Sequence, residues 1–321
     1  MPTAALRYRE LPPAPRLAPL VECLWLLEGD HDPGAAAEPV LPDGHAELIV
    51  HLGARFEHYR ADGGITRQPA ALFAGQLTGP MALRATGPIR ILGIRFRPSG
   101  AAALFPMPQD EMAGRWDGLD AIDPVLAAAV QSRLLGADSL AEAVASVDAV
   151  LAPRAVAAPD PSMEYAADRI LATGGAVSLD GLARTTGLGV RQFRRRFLRQ
   201  VGVSPKRFAR IARFQRVFRA LEQRPDRWAA VAADCGYYDG AHLIREFNEF
   251  AGHAPGRLLA EADEFTRVFL PPRRASEKSN TAAFPRPSLG KSCSGFEKIA
   301  SVPFHAVSLK SVGGRPPGWA T

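Results

Sequence analysis

A chain of 321 residues that is 47% hydrophobic and contains four tryptophans can bury at least one core, and its length predicts two domains. Its three cysteines, Cys23, Cys235 and Cys293, lie far apart, which argues against a disulfide framework and a thiolate metal site. No apolar run approaches the length of a membrane span, and the first residues lack the apolar stretch of a signal peptide. We therefore expect a soluble cytoplasmic protein with no membrane partner.

The net charge of +6 hides a strong asymmetry. Between Arg184 and Arg227 there are 14 basic residues and only two acidic ones, and residues 271–321 contain eight basic and two acidic ones. The rest of the chain is net acidic. One strongly cationic segment in a mildly charged protein predicts a polyanionic partner for that segment.

The first third of the chain predicts β-strands. Short, largely apolar segments are separated by turn signals such as 42-PDG-44 and 62-DGG-64. The strands are predicted at residues 23–29, 46–52, 71–77, 82–87 and 89–97. A sandwich or a small barrel is the expected closure for so many short strands.

Ala- and Leu-rich helices are predicted to follow at about 99–106, 121–135 and 139–151, completing an N-terminal domain over residues 1–155. The segment 152-APRAVAAPDP-161 predicts an interdomain linker. Helices dominate a second predicted domain over 160–269. Residues 270–321 form a basic tail, rich in Ser and Pro and without periodicity, and are expected to be disordered.

The second domain contains an internal repeat. The segment 182-LARTTGLGVRQFRRRFLRQVGVSP-205 matches 231-VAADCGYYDGAHLIREFNEFAGHAP-255 at an offset of 49 residues before the turn and 50 after it. In the first copy, Ser178 is the predicted N-cap and Gly187 the left-handed turn residue, while Val190, Phe193 and Phe197 form the core stripe of the second helix. This pattern is a helix-turn-helix, whose second helix enters the major groove of DNA.

The second helix of the first copy has five arginines in the nine residues from Arg191 to Arg199 and no acidic residue. Arg191, Arg194 and Arg195 share one face, away from the core stripe, and are predicted to contact bases, since arginine pairs well with guanine. Phosphate contacts are predicted for the flanking Gln192, Arg196 and Arg199. A solvated cationic surface is the alternative interpretation.

The second copy differs on its reading helix. Asp239 is the predicted N-cap, and Gly240, Ala241, Ile244 and Arg245 occupy the positions of the base-reading face. Of these, Arg245 is the obvious reader of a base or a phosphate. Gly240 and Ala241 can approach DNA closely or touch a thymine methyl, but they discriminate weakly. We expect the first motif to carry most of the specificity.

One helix over residues 205–223 is predicted to join the two copies, with Pro205 in its first turn. At about 1.5 Å per residue it spans roughly 25 Å, which would place the reading helices about one DNA turn, ~34 Å, apart. Arg207 and Arg210 on this helix are predicted to contact phosphates.

These segments resemble the AraC/XylS family of transcription regulators. Residues 182–208 and 231–258 carry two motifs at the family's spacing, the long linking helix and both G-x-x-P endings. The resemblance implies two subdomains inserted into successive major-groove segments, with base contacts from Arg191, Arg194, Arg195, Gly240, Ala241, Ile244 and Arg245. Two departures concern Gly189, where the family usually has a capping Ser, and the apolar Gly240 and Ile244.

The N-terminal segments 41-LPDGHAELIVHLG-53 and 93-GIRFRPSGAAALF-105 resemble a domain of uncharacterised function that precedes such DNA-binding modules. The resemblance implies a sensor or dimerisation role. His45, Glu47 and His51 share one strand face and suggest an alternative, a metal site, although Ile49 interrupts the set.

The expected fold class is α+β: a β-barrel or sandwich-like domain with trailing helices, then an all-α domain of two helix-turn-helix subdomains joined by a long helix. We expect a sequence-specific, one-component transcription regulator that is not an enzyme and has no catalytic residue, metal or cofactor. Operator or promoter DNA is the expected partner. RNA polymerase, a small-molecule effector and a second copy of the chain are candidates. The alternatives are a non-specific architectural protein and a metal-binding or enzymatic β-domain with an appended DNA-binding module.

Overall fold

Strands dominate the first half of the computed structural model, which describes residues 6–30, 36–105, 107–223 and 228–253. The strands are β1 (Arg7–Leu11), β2 (Val21–Gly29), β3 (Glu38–Val40), β4 (Glu47–His51), β5 (Phe56–Tyr59), β6 (Ile65–Arg67), β7 (Ala71–Ala74), β8 (Met81–Ala85), β9 (Ile89–Phe96) and β10 (Trp116–Gly118). They form two antiparallel sheets, ordered β1-β2-β9-β4-β7-β10 and β3-β8-β5-β6. Five of the strands were predicted; β1, β3, β5, β6 and β10, each of three to five residues, were not.

The two sheets enclose one apolar core. Trp25 and Ile91 of the larger sheet pack in the same buried cluster as Phe56 and Leu83 of the smaller one. Within the described residues no strand pairing joins the two sheets, so the arrangement is the sandwich and not the closed barrel. Gly93 is required here, because a Cβ atom at this position would lie 1.9 Å from the Trp25 indole.

A second core covers the opposite face of the larger sheet. Leu24 and Leu92 pack there against the trailing helices, through residues such as Leu126 and Val147. These helices are α1 (Gly100–Leu104), α2 (Leu119–Ile122), α3 (Pro124–Val130), which continues as a π-helical turn over Gln131–Leu135, and α4 (Leu140–Leu151). Because β2 and β9 are buried on both faces, their apolar residues run almost continuously instead of alternating.

The second half is helical over the part of the chain that is described. Its helices are α5 (Pro161–Ala172), α6 (Leu179–Thr185), α7 (Val190–Val201), α8 (Pro205–Gln223), α9 (Trp228–Asp234) and α10 (Gly240–Ala251). The predicted α+β class is confirmed, with both helix-turn-helix pairs and the linking helix in place. The tail predicted over 270–321, with its expected disorder, lies outside the described residues, as do residues 254–269 of the predicted second domain.

The two halves are in direct contact. Leu41, which precedes β4, is buried in the core of the second helix-turn-helix motif. The Gln215 side chain donates a hydrogen bond to the Pro42 carbonyl oxygen (2.5 Å), and the Phe208 ring lies 3.3 Å from where a Cβ atom on Gly44 would be. The loop before β4 therefore rests on α8. The domain boundary predicted near residues 155–160 stays a prediction.

Candidate nucleic-acid interface

Local backbone signals place the first reading helix, α7. The Ser178 Oγ caps α6 by accepting a hydrogen bond from the Gly181 amide (3.0 Å), as predicted. Gly187 makes the turn with φ +70°, a left-handed conformation that glycine adopts without steric cost. Gly189 stands at the N-cap of α7 and supplies no capping hydrogen bond, in line with its departure from the family's Ser.

The core fixes which face of α7 points outward. Phe193, Phe197 and Val201 are buried, and the Phe197 ring lies 5.6 Å from that of Phe208 on α8. Val190 was wrongly predicted as part of the core stripe: it is the first residue of α7, lies outside the buried cluster and is exposed. Met163 and Ile170 of α5 close the same cluster, so the first motif is a unit of three helices with α8 packed on it. Because these apolar positions are inside, all five arginines of α7 are exposed.

The five arginines differ in their partners. Arg191, Arg195 and Arg199 form no ion pair with any residue that the structure describes. Arg194 lies 3.8 Å from Asp180, with both side chains 61% exposed, which is a weak pair in water. Arg196 donates through Nε to Asp160, the N-cap of α5. The predicted base-reading face therefore has cations available to an external anion.

The second predicted reading helix, α10, also follows a glycine turn but, unlike α7, has a side-chain cap. Its N-cap Asp239 accepts a hydrogen bond from the His242 amide (2.7 Å), as predicted, and Gly236 makes the turn with φ +77°. Leu243, Phe247 and Phe250 are buried against α8 and α9. Exposed on the opposite face are the predicted readers Gly240, Ala241, Ile244 and Arg245.

Helix α8 is shared by the two motifs. Phe208 and Ala212 belong to the core of the first motif, whereas Phe214, Val217 and Phe218 belong to that of the second. With 19 residues, α8 is ~28 Å long. One continuous helix thus sets the separation of the two reading helices.

Arg207 and Arg210, predicted as phosphate contacts, are partnered inside the protein. Arg210 donates through Nε to Glu246 (2.5 Å), whose side chain is 3% exposed, and through Nη2 to Glu249. Arg207 donates to Glu249 (2.5 Å) and to the carbonyl oxygen of Thr78 in the β-rich half. The hydrogen bond from Arg210 holds the pKa of Glu249 below its usual value.

Sequence reasoning missed this cluster, because its glutamates follow the arginines by 36 to 42 residues. The repeat itself carried a signal: α10 has Glu246 and Glu249 at the positions of Arg196 and Arg199 on α7. The cluster forms part of the wall of a cleft of about 650 Å³ between the motifs, which is also lined by the apolar Val177, Leu179 and Ala209. The cations lining it are Lys206, Arg210, Arg213 and Arg245, and His242 lines it as well.

The three residues of the alternative metal site, His45, Glu47 and His51, contact different partners. Glu47 is bound by the Trp25 indole (3.0 Å) and the Arg95 guanidinium (2.9 Å). His51 is buried, lies 3.1 Å from the Gln68 amide oxygen, and has its pKa lowered to about 4 by burial. His45 faces the Phe96 carbonyl oxygen. Among the described residues, no three His, Cys, Asp or Glu side chains converge as metal ligands.

Two helix-turn-helix units joined by a shared helix define a DNA-binding domain. Residues 182–261 match the family model of a helix-turn-helix domain, and residues 9–116 match a domain of unknown function (DUF6597). The chain therefore carries an AraC-type helix-turn-helix domain behind an uncharacterised N-terminal domain, which confirms the predicted resemblance. It has the DNA-binding module of a transcription regulator.

Solved structures similar to this chain include ToxT from Vibrio cholerae O395, with 9% identity and a TM-score of 0.40 over 70% of this chain and 92% of that one. A second ToxT structure, bound to (E)-4-(8-methylnaphthalen-1-yl)but-3-enoic acid, is 8% identical with a TM-score of 0.40 over 83% and 99%. The AraC-like transcriptional activator CuxR is 17% identical, with a TM-score of 0.23 over 68% and 86%. Comparison with curated proteins gave no match. Over the described ranges, no helix is both long and apolar enough to cross a membrane.

Proposed function

We propose that this protein is a sequence-specific transcription regulator that binds duplex DNA with α7 and α10 in successive segments of the major groove. The observation that carries the proposal is the exposed face of α7, where Arg191 and Arg195 have no anionic partner among the described residues. Unpaired guanidinium groups on a helix held by buried aromatic rings are available to guanine edges.

Base contacts are assigned to Arg191, Arg194 and Arg195 on α7, and to Gly240, Ala241, Ile244 and Arg245 on α10. Gln192, Arg196 and Arg199 flank the first set and are assigned to phosphates, which position the helix without reading sequence. For Arg207 and Arg210, the ion pairs with Glu246 and Glu249 favour another role, namely holding α10 against α8.

The N-terminal half is proposed to adjust DNA binding in response to a small-molecule effector. Support comes from the loop of Leu41, Pro42 and Gly44, which contacts the helix shared by both motifs. A change in that loop would reach both reading helices at once. Coupling of this kind is reciprocal, so an effector that changes DNA affinity must itself bind DNA-bound protein with an affinity changed by the same factor.

Selection of bound sites from random duplex DNA by the full chain tests the core proposal. The expected result is a defined site with guanines in one segment, whose preference is lost in Arg191→Ala and Arg195→Ala. A chain that binds all duplexes alike would instead be a non-specific architectural protein. Stoichiometric metal that supports a chemical activity of the β-rich half would favour the metal-binding or enzymatic alternative.

A further inference from the structure

The second reading helix presents a surface unlike that of the first. In the repeat, Gly240, Ala241 and Ile244 of α10 stand where α7 has a valine and two arginines. All three are exposed, and Ile244 exposes 46% of its surface. A single exposed apolar side chain is ordinary on a protein surface. Ile244 therefore matters for its position and not for its exposure alone. It lies on the face proposed to enter the groove.

The local geometry makes this an accessible apolar surface. Ala241 and Ile244 are three residues apart and therefore neighbours on one face of the helix. A Cβ atom built on Gly240 would meet nothing within 4 Å, so no other part of the described structure lies against this position. Arg245 lies beside Ile244, is exposed and has no ion pair with a described residue. The apolar surface is thus bordered by a cation that can face DNA.

The chemical groups exposed in the major groove determine which base the apolar surface of Ala241 and Ile244 can recognise. Each base pair presents nitrogen and oxygen groups there, and thymine alone adds a methyl group. Isoleucine placed against a polar edge would remove water from donors or acceptors without replacing their hydrogen bonds. Placed against the thymine methyl it buries apolar surface on both partners. Ile244 therefore favours thymine, whereas the arginine at the matching place in α7 favours guanine.

We propose that Ile244, together with Ala241, recognises thymine methyl groups, so that the DNA site joins a guanine-containing segment under α7 to a thymine-containing segment under α10. This rests on the proposed function, because it assumes that both helices lie in the major groove. The second motif then obtains its specificity from contact with thymine methyl groups. The apolar residues that stand here in place of arginines change which base is preferred.

Replacement of thymine by deoxyuridine tests the inference, since it removes the methyl group and leaves every hydrogen-bonding group in place. Binding sites are first selected with wild type and with Arg191→Ala. The segment whose base preference is the same in both selections is assigned to α10. Each thymine there is replaced in turn, and binding is measured with wild type, Ile244→Ala and Ile244→Val. Arg194→Ala, at the matching position of α7, is the control variant.

We expect deoxyuridine at one or two positions of this segment to weaken wild-type binding about fourfold each, the value of one buried methyl group. Ile244→Ala should lose most of that sensitivity, whereas Ile244→Val and Arg194→Ala should keep it. Equal losses in wild type and Ile244→Ala would overturn the role of Ile244. A selected site that tolerates deoxyuridine throughout the α10 segment would overturn the inference while leaving the proposed function intact. A chain with no preferred site would overturn both.

Discussion

Arg199 and Arg210 offer a matched test of which cations contact DNA and which hold the domain together. Each is replaced by methionine, which keeps an unbranched side chain and removes the charge. Arg199 is exposed on α7 and has no ion pair with a described residue. Arg210 is 27% exposed and bound to Glu246, which is 3% exposed. The two substitutions should therefore affect different properties of the protein.

The effect of Arg210→Met on folding follows from the partner that it leaves behind. Glu246 would keep only the longer contact to Arg213 (3.7 Å) among its arginine ion pairs within the described structure. Breaking a buried ion pair by removing one partner costs about 3–5 kcal/mol. Because Arg210 is partly exposed and Arg213 remains, we expect a loss of about 2 kcal/mol of unfolding free energy. That corresponds to a melting temperature lower by about 8–16 °C for a domain of about 100 residues.

DNA binding should change in Arg199→Met and stay the same in Arg210→Met. A phosphate contact contributes about 0.9 to the slope of log binding constant against log salt concentration, so Arg199→Met should reduce that slope by about 0.9. Arg210→Met should leave the slope unchanged and Arg199→Met should leave the melting temperature unchanged. Fluorescence anisotropy at several salt concentrations and thermal unfolding followed by circular dichroism measure the two quantities. Arg133→Met, in the β-rich half, is the control for both. A reduced slope with unaltered melting in Arg210→Met would refute the reasoning and assign Arg210 to phosphate.

Replacing Arg191 or Arg195 by Ala should weaken binding to the selected site by about 1–3 kcal/mol and relax the preference at one position; equal weakening on random DNA would make these residues phosphate contacts. Gly202→Ala should lower the unfolding free energy by about 1–2 kcal/mol because Gly202 has φ +96°, and unaltered denaturant unfolding would contradict this. His51 binds a proton more weakly in the folded state than in the unfolded one, so stability is lost as the pH falls from about 6.5 towards 4. Wild type should lose about 2 kcal/mol more than His51→Gln between pH 7 and pH 5, and parallel curves would mean that His51 takes up its proton in the folded state.

Local patterns predicted most of the helical half. Ser178, Gly187 and Asp239 act through neighbours within a few residues, so their roles can be read from short segments. The spacing of Phe193 and Phe197 similarly identified the inward face of α7. The DNA contacts assigned to the exposed arginines remain predictions.

Long-range contacts account for what the sequence did not reveal. The strands β3, β6 and β10 have three residues each, too few for a period of two to emerge. Glu47 was grouped with two histidines by strand period, yet Arg95, brought alongside by β9, binds it instead. The ion pair of Arg210 with Glu246 likewise forms only after α10 folds back on α8.

The position of Leu41 limits how freely the two halves of this protein could be exchanged with those of others. A chimera that joined this helical half to a different N-terminal domain would leave a hole in the core of the second motif, where Leu41 is now buried. Unfilled space of that size next to aromatic side chains costs about 2–5 kcal/mol. We expect a chimera to keep the stability of the second motif only when the incoming half delivers an apolar side chain to the same place. Leu41 thereby makes the stability of the helical half depend on the half of the chain that precedes it.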